Sequence, residues 1–329
     1  MKAELLARVK RGSLTEREYT GFICLVDQDE NIIYQAGDSC DQPFFMRSCA
    51  KPLQALPVLK SGAFESFGID LKDLAIFSSS HSASKEHIEV IKSIFEKTKL
   101  CENDLQCGFH EPIDADMKNF LIKNGINNSP IYHNCSGKHL GMLSVCLKMG
   151  WDRKNYLEPE HPLQQEIFSV LKEFCGFDPE KFISYDGCGA PVSGIPLSKM
   201  GAGFLKLFLA EEKIKQAYVS YPELIGGKGR LDSSIIEASG GELIAKTGAD
   251  GLCIVANIAK KQALVVKVLD SNINIRSLIV LDALALLKWE LDFEHAGIKK
   301  LFDPFIRTSS GIIAGRTETL FSLEQIKTK

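Results

Sequence analysis

Short β-rich runs stand at both ends of this chain, and helical sequence fills the stretch between them. Near the amino terminus TGFICLVD and NIIYQAG are joined by the turn-forming QDE, with Asp27 at the corner, and predict a hairpin. Towards the other end GELIAKTG, GLCIVANI and ALVVKVLD are short, apolar and divided by turns, and INIRSLIVLDALALLKW closes as an amphipathic helix. From about residue 48 the punctuation is helical: SCAKPLQALPVLKSG has a serine at its start, a proline in its first turns and a Ser-Gly stop. SKEHIEVIKSIFEKT, ADMKNFLIKNG, KHLGMLSVCLKMG, HPLQQEIFSVLKEFCG and PLSKMGAGFLKLFLA continue in that style. Strands from both ends can pair into one antiparallel sheet, with the helical segment forming a second lobe against it. The fold class is therefore α+β, a single domain of two lobes. One lobe takes in about residues 1–85 and 230–329, and the other, mostly helical, about 86–229. A cleft between them is the natural ligand site.

Charge and cysteine usage narrow the function classes. Lys and Arg number 39 against 42 Asp and Glu, a net charge of −3, and they are spread along the 329 residues. No basic field argues for nucleic acid. MKAELLARVKRGSLTERE is broken up by charge and lacks an apolar core of leader length. SLIVLDALALLKW carries Asp282 in its middle and is too short to span a bilayer. The expectation is a cytoplasmic protein with neither a membrane nor a nucleic-acid partner, whose thiols stay reduced. Of its 10 cysteines, Cys24, Cys146, Cys175 and Cys253 sit among apolar neighbours and read as buried small hydrophobes. Cys135 and Cys188 lie instead in polar, glycine-rich turns.

Five short stretches can carry chemistry. In Ser48-Cys49-Ala50-Lys51 the serine and lysine are three apart at a helix start, so the amine can lie near the hydroxyl. The helix N-terminus favours negative charge developing there, and the same field with burial disfavours an ammonium. A capping serine with a solvated lysine has the same spacing. Lys246-Thr247-Gly248 ends a predicted strand, where a cation beside a glycine can support an oxyanion. In SSSHS, residues 78 to 82, an apolar strand-like run turns into hydroxyls before a helix. The remaining two are HNCSGKH, residues 133 to 139, and YDGCGAP, residues 185 to 191. HNCSGKH is no phosphate loop, because Tyr132 and His139 occupy the places where that loop needs glycine and a hydroxyl. The two turns could converge on a soft divalent metal, and spacing nominates Cys135, Cys188 and either His133 or His139.

The order S-x-x-K, serine-rich turn, K-T-G resembles that of penicillin-recognising serine enzymes and serine glutaminases. With RSCAKPLQALPVL, SSSHS, HNCSGKHLGML, DGCGAPVSGIPL, GKGRLDSSI and KTGADG in collinear order, the chain resembles the rhizobial-type (thermolabile, inducible) L-asparaginase family. The resemblance implies a serine β-lactamase/glutaminase-like fold and hydrolysis of L-asparagine to L-aspartate and ammonia. It implies two Ser–Lys pairs, Ser48 with Lys51 and Ser80 with Lys246, and a zinc ion, one per chain, on Cys135, Lys138, Cys188 and water. A lysine ligand must give up its proton, so the metal would have to hold its pKa down. In that scheme Ser48 attacks the side-chain amide carbon, Lys51 takes its proton, and Ser80 and Lys246 relay a proton to the leaving ammonia. Backbone near Ser48 and Gly248 holds the oxyanion, Asp186 is a candidate for the substrate ammonium, and Arg47 and Arg230 are candidates for its carboxylate. A homodimer is the expected assembly. The alternatives are a glutaminase or other acyl-transfer hydrolase of this fold, and, from a different class, a non-catalytic sensor of amide ligands.

Overall fold

The computed structural model describes residues 2–38 and 40–325. Nine strands form the main sheet, and every pairing in it is antiparallel. Its path runs from β10 (Phe305–Arg307) and β11 (Ile313–Thr319) to β1 (Glu4–Arg11) and β2 (Leu14–Asp27), then to β9 (Gln262–Val268), β8 (Leu252–Asn257) and β7 (Leu243–Thr247). β3 (Ile32–Ala36) pairs with β2 and with β12 (Glu324–Gln325). The sheet is thus built from both chain ends, as the sequence implies. β1, β10 and β11 carry no clear sequence signal, because each is short or charged and gains its identity only from its neighbour. Three more strands, β4 (Pro43–Phe45), β5 (Ile183–Tyr185) and β6 (Pro191–Pro196), make a separate small sheet.

The strand period of two divides the core. On β9, Ala263 and Val265 face one apolar cluster, while Leu264, Val266 and Val268 face the other. The first cluster is the larger and holds α1 (Lys51–Lys60), α3 (Leu71–Phe77), α6 (Ser136–Met149), α7 (Pro162–Cys175) and α8 (Leu197–Ala210). Here α2 is Ala63–Ser66, α4 is Lys85–Thr98 and α5 is Ala115–Lys123. α8 comes from the helical middle of the chain yet packs on β2, β8 and β9. The opposite face carries α11 (Leu231–Ala238), α12 (Ile273–Leu286) and α13 (Ala296–Leu301), after α9 (Glu212–Ser220) and α10 (Pro222–Ile225). Among the described residues no helix is long and apolar enough to cross a membrane.

One expectation is corrected. The apolar run before SSSHS is the helix α3 and not a strand. Asp70 caps it by accepting from the N–H groups of Lys72 and Asp73, and the Asp73 carboxylate accepts from the Asp70 N–H in return. That reciprocal cap starts a helix that the run's apolar composition alone does not announce.

Candidate active site

Three turns meet at a cleft of about 370 Å³ whose lining includes Ser48, Ser80, Asn134, Arg230, Gly248 and Arg276. Each turn has a local cause. Ser48 lies in a 3-10 turn, Arg47–Ala50, that leads into α1. Arg47 enters it with φ of +48°, a left-handed conformation that costs a residue with a side chain about 1–2 kcal/mol. Its guanidinium is held by Asp186, 2.9 Å from Nε, and by Asp250. These ion pairs offset the backbone strain. Ala83 and Asp250, which follow the other two turns, are also left-handed, at φ of +61° and +53°. Strain of this kind gathers where a fold holds reacting groups in place.

Ser80 follows the end of α3. Ser78 and Ser79 turn their hydroxyls back onto the Leu74, Ala75 and Ile76 carbonyls, which closes the helix. The Ser80 N–H donates to the Ile225 carbonyl at 2.9 Å, so its hydroxyl is left for the cleft. α6 packs tightly against the same helix: a Cβ on Gly137 would stand 2.3 Å from the Ile76 carbonyl oxygen, so only glycine fits there.

Lys51 joins these turns. Its side chain is 1% exposed, and Nζ donates to the Ser79 carbonyl (2.7 Å), the Ser80 hydroxyl (3.0 Å) and the Asn134 carbonyl (3.3 Å). All three acceptors are neutral. Burial pushes its pKa below the ordinary lysine value; Cys135 and Cys188 oppose this, while Lys246 and Lys138 add to it. The hydrogen-bonded serine of Lys51 is thus Ser80. The half-buried Ser48 hydroxyl has no side-chain hydrogen bond among the described residues, although it lines the same cleft.

Lys246 is in a different state. It donates to Asp232 at 3.0 Å and to the Thr247 carbonyl at 3.1 Å, and both members of the ion pair are wholly buried. The same Asp232 oxygen accepts from Thr247 Oγ1 at 2.8 Å. Burial opposes ionisation of Asp232, yet Lys246, Arg230 and these hydrogen bonds hold its pKa below the usual carboxylate range. No hydrogen bond joins Lys246 to Ser80 among the described residues. Asp232 is a residue that the sequence reading passes over, although it stands inside GKGRLDSSI.

The backbone donors differ from the expected set. The Gly248 N–H is committed to the Leu252 carbonyl at 2.9 Å and so is not free for an oxyanion. The N–H groups of Ser48 and Ala249 have no acceptor among the described residues, and both residues line the cleft. Of the charged candidates, Arg47 and Asp186 neutralise each other, whereas Arg230 lines the cleft with no carboxylate bound to it among the described residues.

Cys135, Lys138 and Cys188 come together beside this site, all nearly buried. Lys138 Nζ donates to Cys188 Sγ at 3.0 Å. The Cys188 thiol is pulled far down, first by a hydrogen bond from Cys135 and then, against burial, by Lys138 and His139. Burial lowers the Lys138 pKa, but Cys188 and Cys135 outweigh it and hold the amine charged. His139 Nδ1 and the Tyr156 hydroxyl are hydrogen-bonded at 2.7 Å, and the buried Nε2 of His139 has no nitrogen or oxygen partner among the described residues. His133 Nδ1 accepts from the Cys135 N–H at 3.0 Å. Among the described residues no three His, Cys, Asp or Glu side chains form a metal-holding group. All ten cysteines are free, and the four assigned to the core are buried there.

Comparison with known proteins gives this cleft a context. No curated protein matches the chain. Among solved structures it is similar to a β-lactamase from Mycobacterium bovis, with 14% identity, a TM-score of 0.43, and coverage of 82% of this chain and 95% of that one. It is also similar to the octameric penicillin-binding protein homologue from Pyrococcus abyssi, with 15% identity, a TM-score of 0.39, and coverage of 84% and 75%. A family model described as L-asparaginase II matches residues 7–319, which takes in most of the sheet and every turn of the cleft. The chain belongs to the L-asparaginase II family and is an amidohydrolase.

Proposed function

We propose that the cleft hydrolyses the side-chain amide of L-asparagine through an acyl-enzyme, with Ser48 as nucleophile and Lys51 as its base. The observation that carries this reading is the setting of Lys51: a buried amine, bonded only to neutral oxygens, that reaches the cleft serine Ser80 and lies three residues after the cleft serine Ser48. Burial makes such an ammonium lose its proton more readily than an ordinary lysine, and the neutral amine can then accept a proton. Ser48 Oγ attacks the amide carbon, and its proton passes to Lys51. The free N–H groups of Ser48 and Ala249 support the oxyanion, at about 3 kcal/mol per donor. Lys51 returns the proton to the departing ammonia by way of Ser80, to which it is already hydrogen-bonded. Water then attacks the acyl ester with the same base, which releases L-aspartate and restores Ser48. Lys246, paired with Asp232, acts in this scheme through its charge, which helps to keep Lys51 neutral.

Ammonia release from asparagine, glutamine and a β-lactam, assayed in parallel, tests the reading. The expected result is turnover of asparagine ahead of glutamine; one methylene is worth about 1–3 kcal/mol of discrimination. Protein that releases ammonia from neither amide at any pH from about 6 to 10 would contradict it. Faster turnover of glutamine would move the assignment to a glutaminase on the same machinery. A single stoichiometric event without turnover would mark a sensor.

The reading includes one zinc ion on Cys135, Lys138 and Cys188. Two sulfurs and an amine gathered at one place are a fitting soft donor set, and three protein ligands leave one position of a tetrahedral zinc open. A bound zinc would supply a Lewis-acidic centre beside the cleft. The chain's own task is to bring the three donors together and to release the Lys138 proton. The unpartnered Nε2 of His139 makes that histidine the rival nitrogen. Metal analysis of purified variants decides between them. Cys135→Ala, Cys188→Ala and Lys138→Ala should each lose most of the zinc, and His139→Ala should keep it. The opposite result for Lys138 and His139 would transfer the nitrogen to the histidine.

A further inference from the structure

Two arginines on the cleft, Arg230 and Arg276, have no part in these steps, and Arg276 is the more deeply buried. Arg276, on α12, is 6% exposed; one terminal nitrogen donates to the Gly248 carbonyl at 3.0 Å, and Nε has no partner among the described residues. A guanidinium taken this far out of water normally meets a carboxylate, because an unpaired buried charge is costly. None pairs with Arg276 among the described residues, and the cleft lining includes Arg230 and Arg276 but no Asp or Glu. The cleft therefore carries uncompensated positive charge and suits an anionic group on its ligand. Arg47, the other arginine that the sequence suggests for this task, is already committed to Asp186 and Asp250.

The position of Arg276 suggests which anion. Its bond to Gly248 places it next to the turn whose following residue, Ala249, offers a free backbone N–H. In asparagine the α-carboxylate carbon lies three bonds from the amide carbon that Ser48 attacks. We propose that Arg276 determines specificity by taking the α-carboxylate of the substrate, whose oxygens match the forked donors of a guanidinium. This rests on the asparagine reading above and adds a requirement to it, a free α-carboxylate.

The test compares L-asparagine with its methyl ester. The ester lacks the negative charge, yet its side-chain amide is still the sole source of ammonia. For the unaltered enzyme KM for the ester should exceed that for asparagine by about tenfold or more, with a smaller change in kcat. Arg276→Gln should raise KM for asparagine towards that of the ester and so abolish the preference, and Arg276→Lys should fall between. If Arg276 merely braced the Gly248 turn, both substrates would suffer alike and the preference would survive; that result overturns the proposal. Equal KM values for the two substrates in the unaltered enzyme also overturn it. Should Arg276→Gln fail to fold, Arg276→Lys decides, and an unchanged preference there counts against the proposal. Calorimetric binding of L-aspartate needs no turnover and separates the two readings. If no ammonia appears from any amide, the proposed activity fails, yet weaker aspartate binding in the Arg276 variants still supports the carboxylate site. Equal binding overturns it.

Discussion

Ser48→Ala and Lys51→Ala should each lower kcat for asparagine by on the order of 10³-fold or more, and the double variant should lose little beyond that. The reason is that a nucleophile and its base act as one unit: without the base the hydroxyl keeps its proton, and without the hydroxyl the base has none to take. Steady-state ammonia release checks this, and a single variant that retains a large share of the activity would remove the pair from the mechanism. The pH profile adds a second check. Because burial and the Lys246 and Lys138 charges lower the Lys51 pKa against Cys135 and Cys188, activity should rise with pH and level off below the ordinary lysine value of about 10.4. Lys246→Ala removes one of those cations, so the rising limb should move to higher pH. The same shift bears on stability. Below its folded pKa both states hold the proton and burying the ammonium is unfavourable; that cost fades as pH rises from the lowered folded value towards the ordinary one.

Asp232→Ala or Lys246→Ala should destabilise the fold by about 3–5 kcal/mol, because each leaves its wholly buried partner as an uncompensated charge. Replacing both, as Asp232→Leu with Lys246→Met, should cost much less than the sum of the single changes. Urea denaturation with intact secondary structure as the readout measures all three. If either single change costs under about 1 kcal/mol, water reaches the pair and the description of it as a dry ion pair fails. The folded Asp232 pKa is depressed, so this contribution is complete above the ordinary carboxylate range and is lost only as pH falls through the lower folded value. Neutral pH leaves it intact. The Lys51 limb can therefore be followed without loss of the Asp232–Lys246 pair.

Periodic elements were legible where local chemistry defines them. SKEHIEVIKSIFEKT has its apolar stripe and a Ser84 start, and it forms α4. TGFICLVD and NIIYQAG form β2 and β3 around the Asp27 turn, where Asp27 accepts from the Asp29 and Asn31 N–H groups. DLAIF misleads because a short apolar run has no period of its own; the Asp70–Asp73 cap was the available signal. β1 and β11 pair residues as far apart as Ala7 and Thr319, and nothing in either segment names the other.

The turns of the candidate site were legible as residue types at fixed spacings: Ser48 with Lys51, the serines before His81, Lys246 with Gly248, and a thiol in each of two glycine-bearing turns. Only the tertiary structure decided what each group meets. It gives Lys51 neutral oxygens, the Ser80 hydroxyl among them, and gives Lys246 the Asp232 carboxylate, so the two buried lysines meet different electrostatic surroundings. It spends the Gly248 N–H on Leu252 and leaves that of Ala249 free. It also buries Arg276, which carries no motif, at the cleft. Charge state and donor availability depend on burial and on partners a few ångströms away, and packing draws those partners from α3, α11, α12 and the turn before α6, far apart along the chain. A sequence records the groups and their spacing along the chain, but not the distances that set how they behave.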